Sequence, residues 1–140
     1  MNKSRQPNQT KRIADLFRIL GQPARLRILM TIGKGEACVC HLEAVLGLRQ
    51  AYISQQLMAL READLVNARR SGRNIYYRLE EPHLLDLLRE AAQILDIPEG
   101  KLPFAASGES VPNCSCPHCT GEEEEEELIS PAEIGILSNE

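Results

Sequence analysis

The sequence predicts a mainly α fold of the α+β class: a winged helix-turn-helix with a two-stranded β wing, dimerising through its terminal helices. Three observations point there. Residues 49–60 keep Ile53, Leu57 and Leu60 at helical spacing and leave Arg49, Gln50, Tyr52, Ser54, Gln55 and Gln56 largely on the remaining surface. In residues 66–79 the apolar period changes to two: Ile75, Tyr77 and Leu79 point one way and Asn74, Tyr76 and Arg78 the other, beyond a Ser71-Gly72 turn. The charge is also divided, with 14 Lys/Arg against 6 Asp/Glu in residues 1–80 (+8) and 2 against 14 in residues 81–140 (−12).

Residues 1–10 are polar and read as a flexible lead-in to a domain spanning 11–97. Ile13, Leu16, Phe17 and Leu20 form the stripe of a first amphipathic helix, which Gly21 stops. Pro23 suits the first turn of a second helix with Leu26, Ile28, Leu29 and Ile32 on its apolar face, and Gly33-Lys34-Gly35 breaks it. Residues 36–46 are expected to form a short helix ending at Gly47, the first half of the helix-turn-helix. After the wing, Pro82 opens a helix in which Leu84, Leu85, Leu87, Leu88, Ala91, Ala92, Ile94 and Leu95 leave little polar face. Such a helix should be buried, and in a small domain its natural cover is its twin in a homodimer. Residues 98–140 read as a linker and a Cys-rich, Glu-rich tail, whose glutamate run at 122–127 should be solvated and disordered.

A chain of 140 residues fits one domain and a tail. It contains no apolar run long enough to span a membrane, and its polar N-terminus lacks the apolar stretch of a secretory signal. A cytoplasmic protein with no membrane partner is therefore expected. Neither a phosphate loop, a dinucleotide fingerprint nor a nucleophile with a base and an orienting partner is evident, so no enzyme and no small organic substrate are expected.

A basic half that coincides with the helix and wing is what phosphate binding requires, whatever the net charge of −4. A major groove admits one helix, where Gln suits adenine and Arg suits guanine. Arg49, Gln50, Ser54 and Gln55 are the candidates for base contact, with Gln56 beside them; Tyr52 could reach a phosphate or a thymine methyl. Arg69, Arg70, Arg73 and Asn74 surround the wing turn, placed for the DNA backbone or minor groove. The expected partner is double-stranded DNA.

Residues 12–97 closely resemble the ArsR/SmtB family of small dimeric repressors. The resemblance rests on the order of elements, on the wording from Ser54-Gln55-Gln56-Leu57 to Leu60-Arg61, and on Gly72-Arg73-Asn74-Ile75-Tyr76-Tyr77-Arg78-Leu79. It implies a homodimer that represses transcription at a pseudo-palindromic operator and lets go when an inducer binds. Cys38-Val39-Cys40 is similar to the C-V-C segment that thiolate-using members carry at the start of the helix before the recognition helix. Members that sense zinc through the dimer helix carry a D-x-H followed by His and Glu; here Glu81-x-His83 is followed at those places by Ile94 and Ile97. A zinc site there is not expected, and His83 reads as a surface residue at a helix start. Arsenic-type members often carry a third cysteine where this chain has Glu43, so a third sulfur would have to come from the tail.

Five cysteines in C-x-C and C-x-x-C spacings, in a reducing cytosol, suit metal ligands or redox thiols better than a disulfide framework. A helix N-terminus favours thiolate, the form that binds metal. In a regular helix, however, residues two apart point away from each other, so Cys38 and Cys40 can grip one ion only if that turn is extended. Cys114, Cys116 and Cys119 have polar neighbours and no core to join, with His118 a candidate fourth donor. An arm of about 17 residues beyond Ile97 reaches roughly 20–25 Å, enough to bring them to Cys38 and Cys40 of either subunit. The expected cofactor is a thiophilic ion held by Cys38, Cys40 and two or more tail cysteines: cadmium, lead or zinc, then arsenite or antimonite. His41 is expected to face solvent. Two rivals are a thiol-redox or persulfide-sensing repressor and a metal-sequestering or thiol-transfer protein.

Overall fold

The computed structural model describes residues 8–104 and 126–128. The elements run α1 (Gln9–Leu20), α2 (Pro23–Ile32), β1 (Glu36–Cys38), α3 (Val39–Leu46), α4 (Gln50–Glu62), β2 (Val66–Ser71), β3 (Asn74–Leu79), α5 (His83–Ile94) and β4 (Glu126–Leu128). Among the described residues, no helix is long and apolar enough to cross a membrane. The mainly α winged fold is as expected, and α3 and α4 form the helix-turn-helix, joined through Gly47 in the left-handed conformation at φ 66°.

The boundaries follow local chemistry. Asn8, inside the stretch expected to be flexible, caps α1 by accepting from the Thr10 N–H at 2.8 Å. Pro23 sits in the first turn of α2, where its missing N–H costs nothing. The wing closes with a two-residue loop between Ser71 and Asn74, and Gly72 takes its first position at φ 57°, which a β-carbon would disfavour.

One boundary differs from expectation. Residues 36–38 are not helical: they pair antiparallel with β3, Glu36 opposite Arg78, Ala37 opposite Tyr77 and Cys38 opposite Tyr76. The helix therefore starts at Val39, with Cys38 in extended backbone as its N-cap. The sheet is four-stranded in the order β1-β3-β2-β4, so the wing carries a strand on each side. Two of the six glutamates at 122–127 lie in β4, on the outer edge of β2, where a solvated tail was expected.

The core lies between α2, α3, α4 and the sheet. Ile28, Leu29, Leu42, Ile53, Leu57 and Leu60 are fully enclosed, joined by Tyr77 and Leu79 from the inner face of the wing and by Leu84 and Leu85 of α5. Tyr76, on the outer face by alternation, is buried as well, with the Arg69 guanidinium 4.9 Å above its ring.

The terminal helices are different. Helix α5 buries Leu84, Leu85, Leu88 and Ala92 and leaves Ile94 82% exposed and Leu95 68% exposed. It is amphipathic within one subunit, not enclosed on all sides. Helix α1 likewise buries Leu20 but leaves Phe17 54% exposed, with Ile13 beside it. Beyond α5 a 3-10 turn at Glu99–Lys101 folds back, and Phe104 packs under the Arg89 guanidinium at 4.6 Å.

Candidate functional site

Helix α4 presents its N-terminal half outward. Arg49, Gln50, Tyr52 and Gln55 are exposed, while Ile53, Leu57 and Leu60 anchor the opposite face. Two of the expected DNA-facing residues turn inward instead. Gln56 is 8% exposed, and its Oε1 accepts from the Arg25 Nε at 2.8 Å, so it serves to lock α4 to α2. Ser54 is 5% exposed and faces the wing. Helical spacing could not reveal this, because Arg25 lies 31 positions away and nothing local marks the pair.

On the wing, Arg73 is exposed and Asn74 and Arg70 are half-buried. Arg69 is engaged elsewhere: its Nε donates to Glu36 at 2.7 Å and a second nitrogen donates to the other carboxylate oxygen. This fork-on-carboxylate pair is largely shielded from solvent and ties β2 across the sheet to β1, two residues ahead of Cys38. Sequence reading missed Glu36, whose partner is 33 positions distant.

The cysteine pair stands where these elements meet. Because Cys38 is extended and Cys40 lies in the first turn of α3, the two sulfurs fall on one side, 2.7 Å apart. The extended turn that joint coordination requires is thus present. The Cys38 sulfur also accepts from the His41 N–H at 3.4 Å, a helix-capping bond. His41 itself is buried, contrary to the expectation that it would face solvent.

Cys38, Cys40, Gln50, Ser54, Arg73 and Asn74 together line a cleft of about 220 Å³. The two sulfurs and several of the side chains expected to meet DNA therefore line one cavity. Two positions on a tetrahedral ion with Zn–S of about 2.3 Å require sulfurs about 3.7 Å apart, a separation that two neighbouring sulfurs on one side of the turn can adopt. Among the described residues no third Cys, His, Asp or Glu joins them. Cys114, Cys116, Cys119 and His118 lie outside the described residues. At the other expected landmark, His83 is an exposed residue at the start of α5, paired with Glu81 through Nδ1 at 2.5 Å. Its backbone N–H also donates to Glu81, and these bonds hold the Glu81 carboxyl below its ordinary value.

A recognition helix with exposed Arg and Gln, flanked by an arginine-bearing two-stranded wing, defines a DNA-binding winged helix-turn-helix protein. Residues 22–68 match the family described as "Bacterial regulatory protein, arsR family". The transcriptional repressor SmtB homolog of Synechocystis is 40% identical over 88 residues, 63% of this chain and 67% of that protein. A biofilm growth-associated repressor of Agrobacterium fabrum is 42% identical, covering 64% of this chain and 77% of that one. Among solved structures, the homodimeric winged helix-turn-helix DNA-binding domain of Mb0332 from Mycobacterium bovis aligns with a TM-score of 0.56 at 28% identity, over 63% of this chain and 82% of that one. The chain belongs to the ArsR/SmtB family of transcriptional repressors, a class of regulator and not of enzyme.

Proposed function

We propose that this repressor is a cytoplasmic homodimer that leaves its operator when a thiophilic metal or metalloid ion binds cysteine thiolates. The observation that carries this reading is the placement of the Cys38 and Cys40 sulfurs on one side of an extended turn, in a cleft shared with Gln50, Ser54, Arg73 and Asn74. Arg49, Gln50, Tyr52, Gln55, Arg70, Arg73 and Asn74 would hold the DNA. The domain division at 11–97 with a tail at 98–140 belongs to the same reading. So does dimerisation through α1 and α5, supported by the exposed Ile13, Phe17, Ile94 and Leu95 and by the homodimeric neighbour.

Cys38 and Cys40 supply two soft donors; Cys114, Cys116 and Cys119 would supply the rest of a three- or four-sulfur set suited to cadmium, lead or zinc, or to arsenite or antimonite. A bound ion supplies bond energy that the folded repressor can use against its grip on DNA. An ion gripped between the two sulfurs would bind the first turn of α3 to β1, and Ala37 and Cys38 are laddered to Tyr77 and Tyr76 of the wing. The recognition helices and wings then lose the spacing of one DNA turn that successive major grooves demand.

The same adjacency of sulfurs supports a second reading, a thiol-redox repressor in which an oxidant takes two electrons and two protons from the pair. Fluorescence anisotropy on DNA from upstream of the protein's own gene separates the two. Under reductant, one of the named ions should release the DNA, and Cys116→Ser should weaken that response. Release by mild oxidant alone, reversed by reductant, with no effect of any ion, would replace metal sensing with the redox reading.

A further inference from the structure

The outer edge of the wing is occupied. Strand β4 pairs antiparallel with β2 in a register that sets Leu128 opposite Arg69, Glu127 opposite Arg70 and Glu126 opposite Ser71. Nothing in its own sequence favours a strand there. Glutamate is depleted in strands, and these two end a run of six like charges at 122–127 that repel one another. What the site offers is the side of β2 that faces away from β3, on a ribbon carrying Arg70 and Arg73. Directly opposed residues of an antiparallel pair place their β-carbons about 4.5–5.5 Å apart, so the register puts a carboxylate-bearing residue across from Arg70.

That edge is also the part of the wing whose arginines suit DNA phosphate. Two polyanions cannot share it without repulsion. We propose that the outer edge of β2 is a docking surface for the chain's own acidic segment Glu126–Leu128, which adds to it as a strand and competes with DNA for the wing. The seated segment lowers the affinity of the full chain for any duplex, because only the fraction with a vacant edge binds through both helix and wing.

Amide hydrogen exchange and anisotropy on the full chain test this, using a random-sequence duplex of about 24 base pairs, since phosphate binding needs no operator. Without DNA, the amides of Glu126–Leu128 that point at β2, every second one along an antiparallel strand, should be protected, equally at low and high protein concentration. Saturating duplex should speed their exchange at least tenfold. The double variant E126Q/E127Q, which keeps length and shape, should bind the duplex about two- to fivefold tighter at about 50 mM salt, the worth of a cross-strand ion pair, and no tighter at about 500 mM. Protection that persists with DNA bound, or equal affinities of the two chains, would overturn the competition. Protection that appears only as protein concentration rises would assign the edge to a second copy and overturn docking within one chain.

Discussion

Helix α3 begins at Cys38, a buried residue whose sulfur accepts an N–H of the first turn and whose backbone is laddered to the wing; helix α4 begins at Arg49, which makes no capping side-chain bond among the described residues and stands exposed with Gln50. The two halves of one helix-turn-helix are thus started by opposite chemistry. At α3 the N-terminal turn is tied inward, to sulfur and to the sheet. At α4 the free N–H groups and positive end of the helix are left for an anion outside, as a groove-reading helix needs. On the proposed function, the difference separates a sensing end from a reading end, only a cleft apart.

The largest effect that sharpens this contrast lies within α3. Leu42→Ala, at a fully enclosed position, should cost about 2–5 kcal/mol in denaturant unfolding, whereas Val45→Ala on the exposed side of the same helix should change stability by less than about 0.5 kcal/mol. Neighbouring glutamines in α4 provide the next. Gln55→Ala should weaken DNA binding by about 1–3 kcal/mol with an unchanged melting temperature. Gln56→Ala should do the reverse, lowering stability by about 1–3 kcal/mol because the Arg25 guanidinium loses its acceptor, and reaching DNA only through that loss. If Gln56→Ala cut DNA affinity with no change in stability, the inward assignment of Gln56 would fail.

Smaller still is the cap itself. Cys38→Ala removes the acceptor of the His41 N–H and should cost about 1 kcal/mol from that source, while Cys38→Ser, with an oxygen acceptor, should restore it in thermal melts. The smallest effect is a pH dependence at the start of α5. The Glu81 carboxyl is held below its ordinary value of 4.5, chiefly by the His83 backbone N–H and then by its ring. A depressed carboxylate contributes stability above its unfolded pKa and loses it as pH falls through the folded one, so the melting temperature should drop more below about pH 4.5 in the wild type than in Glu81→Gln. Identical curves would dissociate this pair from the helix start.

Much of this was legible in the sequence, and the part that was not has a common cause. The stripes of α1, α2 and α4 and the alternation of β3 are local periodicities, and each element formed where its period predicted. The strand at Glu36–Cys38 is only three residues long and exists because β3, some 40 positions later, offers it a ladder. Gln56 and Arg69 look like DNA ligands until Arg25 and Glu36, each more than 30 positions away, are seen to hold them. Strand β4 runs against the propensity of its own residues. The thiol pair falls between: its spacing marked it as a site, and the need for an extended turn could be stated, but only the pairing of β1 explains why the turn is extended.

The central claim is that the sulfur pair at the base of α3 governs how firmly α4 and the wing hold DNA. Its most direct test is the operator affinity of the Cys38→Ser chain, measured by anisotropy with and without the ion that releases the wild type. Serine keeps the cap and leaves α4 and the wing untouched, so the expected result is wild-type affinity without the ion and no release with it. Release of Cys38→Ser at the same ion concentration as the wild type would contradict the account and move the sensing site elsewhere in the chain.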